Sequence, residues 1–591
     1  MRPSDQFQTA GPNARAGVQP TIPQQKVHCE RCEGRLNLGI FFDGTNNHRD
    51  RDLPTKAHSN VARLYAAYPY DLELGYGRLY VPGVGTPYED VDDSGGLIDS
   101  IGGNGGAAMG ERRILYALLS VFNAVDSWVG AKKRIALGEF FTRGQMLALC
   151  RNSERANNYK GECINISQKD LSFLGDDKLK MADKGGLLHA KITRNKYRDE
   201  FFVEQIDRIK KRIARVDKPK LVEITIDVFG FSRGAAQARV FCNWLYTLVE
   251  DGKLFGVPFS IRFLGIFDTV ASVGVQGGSF GYTTGHMAWA DPDAPGGGLK
   301  IHPSIKRVEH YIAMHENRAS FPLDRVHTSP NQVLPPNVRE WAFPGMHSDV
   351  GGGYAPNEQG KRGTDAEKIS QIALEHMYIA ARKASVPLDK TRVISPPESG
   401  GEGGDGFDSF EVAPSMRQAF GAFMMAMGQR PRTMQDWLLP YLAWQYKHLE
   451  DYKNLTFYLS ATPKEKQAID KAQKGFAADI AHLEGNTKHA WWELASPIYF
   501  LSKEAQAKTM KAFKLTLLDA QALEFIKDYR GLTLMMENFF ADYVHDSYAG
   551  FDVLKVQEFT GRLHWRRIFY GTEKAYVAMN DEPPNQDKKY A

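Results

Sequence analysis

The stretch Val222–Ala236, VEITIDVFGFSRGAA, restricts the fold more than any other part of the chain. Val222 to Val228 is rich in β-branched residues and reads as a short strand. Gly230-Phe231-Ser232-Arg233-Gly234 follows, and a run of small residues then opens a helix. A G-x-S-x-G pattern is common by chance and gains meaning from a strand before it and a helix after it. At so tight a bend a Cβ at either flanking position would meet backbone, which accounts for Gly230 and Gly234. The bend lifts Ser232 Oγ clear of the sheet end, and the helix start turns free N–H groups toward a developing oxyanion. Ala235 and Ala236 let that helix lie close to the sheet. The plain alternative is a tight turn with no chemistry.

Strands and helices alternate on either side of this unit. Leu36–Phe42 is a buried strand running into Asp43-Gly44-Thr45-Asn46-Asn47. Asn60–Tyr68 reads as a short helix, and Arg78–Val81 as a strand. The glycines at 102–106 enter a long helix whose Ile114, Leu118, Phe122 and Val125 share one face. Those glycines lack the spacing of a dinucleotide fingerprint. Residues 131–200 are charged and loop-rich and read as an insertion, closed by an amphipathic helix through Phe202, Ile206, Ile209 and Ile213. Ile261–Phe267 is a further strand ending at Asp268. His310 and His315 read as part of a helical stretch with Glu316 and Arg318. Arg339–Phe343 is the last strand, followed by a glycine-rich loop with His347 and Asp349, and a helix from Asp365 to about Ala384 covers it. The expected fold is α/β, an α/β-hydrolase-like, mostly parallel sheet flanked by helices, over residues 34–395. Function in such sheets gathers at the carboxyl ends of the strands, where Asp43, Ser232, Asp268 and His347 all fall.

Serine then aspartate then histidine is the α/β-hydrolase order. Ser232 needs a base within reach, and the imidazole of His347 titrates in the useful range. Asp268 would hold that ring in one tautomer. Asp349 is a rival acid, two residues from His347, though better placed to cap the glycine turn. The oxyanion hole needs two donors, expected from the backbone N–H of Arg233 and from the loop at Gly44 and Thr45. Asp43 would tie that loop together. Asp227, inside the nucleophile strand, reads as structural. The cluster Tyr543-Val544-His545-Asp546-Ser547-Tyr548 cannot relay protons among its own members and reads as packing back onto the catalytic domain.

Beyond Pro396 the texture changes. Glycines at 400–406 form a linker, and 396–591 reads as a mainly helical second domain. Its methionine-rich run Ala419–Gly428 and its cluster Trp491, Trp492 and Ile498–Leu501 suit an ordinary core, or a lid or membrane-docking surface. The chain has 591 residues, 42% of them hydrophobic, and a net charge of +4, which with no basic stripe argues against nucleic acid as a partner. Five cysteines, an odd and low number, argue against a disulfide framework. Cys29 and Cys32 lack further zinc ligands beyond His28, so plain thiols are expected there and no metal or cofactor. Residues 1–33 have no apolar signal-peptide core and read as a disordered arm. Synthesis in the cytoplasm, with any export by another route, is expected.

Six motifs in order carry a resemblance: FFDGTNN at 41–47, YVPGVGT at 80–86, FGFSRGAA at 229–236, FDTVASVG at 267–274, FPGMHSDVGGGY at 343–354 and YVHDSYAGF at 543–551. Together they resemble the DUF2235 hydrolase family, in particular the bacterial type VI secretion lipase effectors of the first lipase-effector family. The resemblance implies an α/β-hydrolase-like phospholipase with Ser232, Asp268 and His347 as its triad. It further implies glycerophospholipid substrates in a competitor's membrane, delivery to the target periplasm on the secretion spike or an adaptor, and a cognate immunity protein. Two other readings stay open at this stage. Asp43, Asp268, Asp349 and His347 could hold a cation for phosphoester hydrolysis, or the chain could be a non-enzymatic spike adaptor.

Overall fold

The computed structural model describes residues 8–9, 33–95, 104–133, 140–150, 193–215, 219–271, 288–290, 296–329, 332–397, 403–428, 433–484, 518, 520–551 and 561–570. The Cys29/Cys32 pair, most of the N-terminal arm, residues 151–192 of the expected insertion and the Trp491–Leu501 cluster lie outside them.

The main sheet contains strands β1 (Gln8–Thr9), β2 (Glu33–Phe42), β3 (Tyr76–Val81), β4 (Lys220–Phe231), β5 (Val257–Phe267), β6 (Val308–Ala313) and β8 (Val338–Phe343). Their spatial order is β1-β8-β6-β5-β4-β2-β3, and every neighbour in it is parallel. The short strand Lys253–Leu254 adds an antiparallel partner to β5. A separate parallel pair joins β7 (Leu323–Arg325) to β9 (Ile568–Tyr570). The expected α/β-hydrolase-like sheet is thus the sheet observed.

Side-chain alternation sorts the strands' residues to two cores. From β4, Ile224, Ile226 and Val228 enter one face, and Phe229 and Phe231 enter the other. The first face is covered by helices α2 (Asn104–Lys133), α3 (Arg143–Cys150), α4 (Thr193–Ala214) and α5 (Arg233–Tyr246). The second is covered by α1 (Asn60–Ala67) and α7 (Ile369–Lys383), with Phe423, Trp437, Tyr441 and Phe540 from the C-terminal helices in the same cluster. None of the described helices is long and apolar enough to cross a membrane.

One expectation is corrected. His310 lies on β6, a fully buried inner strand, and not in a helical stretch. His315, Glu316 and Arg318 follow in the irregular segment beyond the strand, and the polar residues of the strand itself are satisfied across the sheet. Glu309 accepts from Trp341 Nε1 at 2.8 Å, and His310 Nδ1 meets Glu340 Oε2 at 3.0 Å.

Register brings the strand ends level. Phe42 pairs with Gly230, and Phe231 with Phe267. Asp43, Ser232 and Asp268 are therefore each the first residue beyond the end of three adjacent strands.

Candidate active site

Ser232 stands at φ 58° and ψ −126°, a conformation that costs a non-glycine residue about 1–3 kcal/mol and persists only where the surroundings enforce it. They do so through its backbone. Its N–H donates to Phe267 O at 3.0 Å, and its carbonyl accepts from Ala235 N at 3.0 Å and Val270 N at 3.2 Å. The flanking glycines are needed. A Cβ on Gly230 would come within 2.7 Å of Ala235 Cα, and one on Gly234 within 2.3 Å of Asp43 O. The second contact seats the start of α5 directly against the end of β2.

Asp268, also left-handed at φ 37°, is buried. Its Oδ2 lies 2.6 Å from His347 Nδ1, and its Oδ1 accepts from Ala313 N at 3.0 Å. His347 is the first residue of the short helix α6 (His347–Gly351), and its N–H donates to Glu316 Oε2 at 3.3 Å. Its ring packs against Phe231 at 4.6 Å and Phe321 at 4.9 Å. With Nδ1 committed to the carboxylate, the lone pair sits on Nε2, which is buried and has no hydrogen-bond partner among the described residues. Phe231 is the residue before Ser232, so the imidazole lies beside the elbow. No hydrogen bond joins Ser232 Oγ to His347 Nε2; such contacts often close only when substrate is bound. Burial lowers the His347 pKa below 6.5, against the opposing pull of Asp268.

Arg566, which the sequence reading passed over, completes the acid. Its Nη1 and Nη2 donate to Asp268 Oδ1 and Oδ2 at 2.9 and 2.7 Å. Its Nε and Nη1 also donate to Phe321 O at 2.8 Å and Ala313 O at 3.0 Å. The β7–β9 pair delivers it, through Leu323 N to Arg567 O at 2.8 Å. Burial pushes the Asp268 carboxyl up, but Arg566 and His347 outweigh burial and hold it well below the ordinary carboxylate range. The available signal was three arginines, 562, 566 and 567, inside an aromatic run, since buried arginine implies a partner.

Asp349 does not contact His347 through its carboxylate. Its Oδ2 accepts from Met346 N at 3.0 Å and His545 N at 3.1 Å, and its Oδ1 meets His545 Nδ1 at 2.6 Å. Asp349 thus caps the helix that carries His347, and His545 holds the cap. The expected oxyanion loop divides. Gly44 N–H is taken by Asp43 Oδ1 at 2.7 Å, which removes it as a donor, whereas Thr45 Oγ1 is buried without a partner among the described residues. Asp43 also accepts from Tyr80 OH at 2.5 Å, and burial raises its pKa to about 6. Asp227 is paired with Arg262 and Tyr68 inside the sheet. Among the described residues no three His, Cys, Asp or Glu side chains converge as a metal ion would require.

A strained serine at a parallel-sheet end, with a buried Asp–His pair at the same end, places the chain among α/β-hydrolase-like proteins. Residues 246–380 match the family model described as "T6SS, Phospholipase effector Tle1-like, catalytic domain", which bears out the family resemblance drawn from the motifs. Asp268 and His347 fall inside that match, and Ser232 just before it. No curated protein matches the chain. A crystal structure of an uncharacterized protein from Pseudomonas aeruginosa is similar over 92% of this chain and 80% of that one, at 22% identity and a TM-score of 0.64, a likeness of fold. A structure of the Tle1 effector bound to the VgrG spike of the type 6 secretion system aligns over 71% of this chain and 86% of that one, at 18% identity and a TM-score of 0.31.

Proposed function

We propose that this chain is a serine esterase that hydrolyses acyl esters of membrane glycerophospholipids as an antibacterial type VI secretion effector. The observation that carries the reading is the 2.6 Å Asp268–His347 pair, packed beside a serine held at positive φ. Ser232 Oγ attacks the acyl carbonyl while its proton passes to His347 Nε2. Asp268 stabilises the imidazolium that forms. The Arg233 backbone N–H and Thr45 receive the oxyanion. His347 then protonates the departing glycerol oxygen, and water repeats the cycle on the acyl-enzyme to release fatty acid.

The Tle1-like match supports a lipase effector, and the partners proposed with that reading are a spike or adaptor protein, a target-cell membrane and a cognate immunity protein. Metal-assisted phosphoester hydrolysis fits less well, because Asp43, Asp268 and Asp349 are each bonded to separate protein groups. Mass spectrometry of products from mixed-acyl phosphatidylethanolamine and phosphatidylglycerol tests the reading. Free fatty acid and lysophospholipid are expected from the wild type and neither from Ser232→Ala. Activity that survives Ser232→Ala but is abolished by a chelator would favour the metal reading, and toxicity unaffected by Ser232→Ala would favour the adaptor.

A further inference from the structure

Arg233 carries a charge that no other described residue answers. It opens the 14-residue helix α5, directly after Ser232, and is only 7% exposed. Four other buried guanidinium groups among the described residues find partners. Arg63 holds Asp365, Arg113 holds Asp93, Arg318 holds Glu316, and Arg239 donates to three backbone carbonyls. Arg233, among the described residues, forms no ion pair and donates no side-chain hydrogen bond, and its Nε is enclosed without a partner. Burial alone lowers its pKa, to about 10, so it remains a cation at neutral pH. An unpaired buried charge is costly, and a folded chain keeps one where something else supplies the counter-charge.

We propose that the Arg233 side chain is the subsite for the phosphodiester of the lipid substrate. The inference rests on the proposed esterase reading and deepens it. In a glycerophospholipid the scissile ester and the phosphodiester sit on different carbons of one short glycerol, a few bonds apart, so an acyl carbonyl over Ser232 holds the anion close to the elbow at which Arg233 is the next residue. Guanidinium suits this task because its planar fork donates two parallel bonds to phosphate oxygens. Its backbone N–H and its side chain then serve two different oxygens of one substrate, the developing oxyanion and the phosphate. The helix N-terminus behind it favours negative charge as well.

The test compares short-chain phosphatidylglycerol with the uncharged diacylglycerol of the same acyl chains, as a ratio of kcat/KM measured on one preparation, so that the active fraction cancels. Arg233→Met is expected to lower this ratio on the order of 10- to 100-fold, the range of a lost charge-assisted hydrogen bond, and Arg233→Lys to recover part of it. A ratio unchanged in Arg233→Met, even with both rates reduced, overturns the proposal. So does relief of inhibition by added fatty acid at an unchanged ratio, because the anion held would then be the product carboxylate. Thermal melting gives a second readout. Arg233→Met should melt at or above the wild-type temperature, and a fall of several degrees would mean that the guanidinium has a structural partner, which also overturns the assignment. Failure of the esterase reading looks different, since the wild type would then release fatty acid from neither substrate.

Discussion

Replacing Arg566 by methionine removes one positive charge and little volume from beneath Asp268. The wild-type guanidinium makes two bonds to the carboxylate and two to the carbonyls of Phe321 and Ala313. In the variant Asp268 keeps the Ala313 N–H and His347, and the two carbonyls lose this donor. Leaving one member of a buried pair uncompensated costs about 3–5 kcal/mol. Part of the loss has a fixed pH dependence. The Asp268 carboxyl is depressed in the folded state, so its share of stability is present above pH 3.8 and is lost as pH falls through the lower folded value. Without the guanidinium this acid-side protection shrinks, and Arg566→Met should unfold at higher pH on acid titration. Catalysis should fall about 100-fold, because the acid that orients His347 is free to shift. With its negative charge no longer shared, Asp268 also favours the imidazolium more strongly, so the acid limb of kcat/KM moves to higher pH. Urea melts and pH–rate profiles on a soluble ester measure all three. A variant within 1 kcal/mol of wild type, at full rate and with an unmoved acid limb, would refute the reasoning.

Four further outcomes follow from the same contacts. In the wild type the acid limb of kcat/KM should lie below pH 6.5, because burial favours neutral His347 and the proposed mechanism uses the neutral ring as its base. His545→Ala should destabilise the fold by about 1–3 kcal/mol in urea melts and reduce activity, since it strips the Nδ1 bond from the Asp349 cap and leaves only the backbone N–H bond. Thr45→Val should lower kcat roughly 10- to 100-fold at near-constant KM if its hydroxyl serves the oxyanion. Gly234→Ala should yield little folded protein, measured as soluble expression and melting temperature, because its Cβ would press on Asp43 O and Phe42 O, both within 2.4 Å.

Much of this centre was legible in the chain because the elbow is local chemistry. Two glycines, a serine and two alanines within seven residues specify the bend, apolar runs specify β2 and β5, and a β-branched run specifies β4. Strand β6 was hidden because Glu309 and His310 look like surface residues, and only their partners Arg307, Trp341 and Glu340, two of them on a neighbouring strand, make them affordable inside a sheet. Arg566 was hidden by distance, since it lies 298 residues from the carboxylate it grips and no periodicity links the two. Neither the histidine that holds the Asp349 cap nor the acceptor of the Gly44 N–H could be assigned from spacing. Whether a carboxylate faces a neighbour on its own turn or a histidine 196 residues away is decided by packing.

The central claim is that the Ser232 hydroxyl is made nucleophilic by His347. Peptide mass spectrometry after reaction with an alkyl fluorophosphonate tests it most directly. The account predicts a single adduct on Ser232, formed rapidly by the wild type and slower by orders of magnitude in His347→Gln. An adduct on another residue, or equal labelling rates in the two proteins, would contradict it.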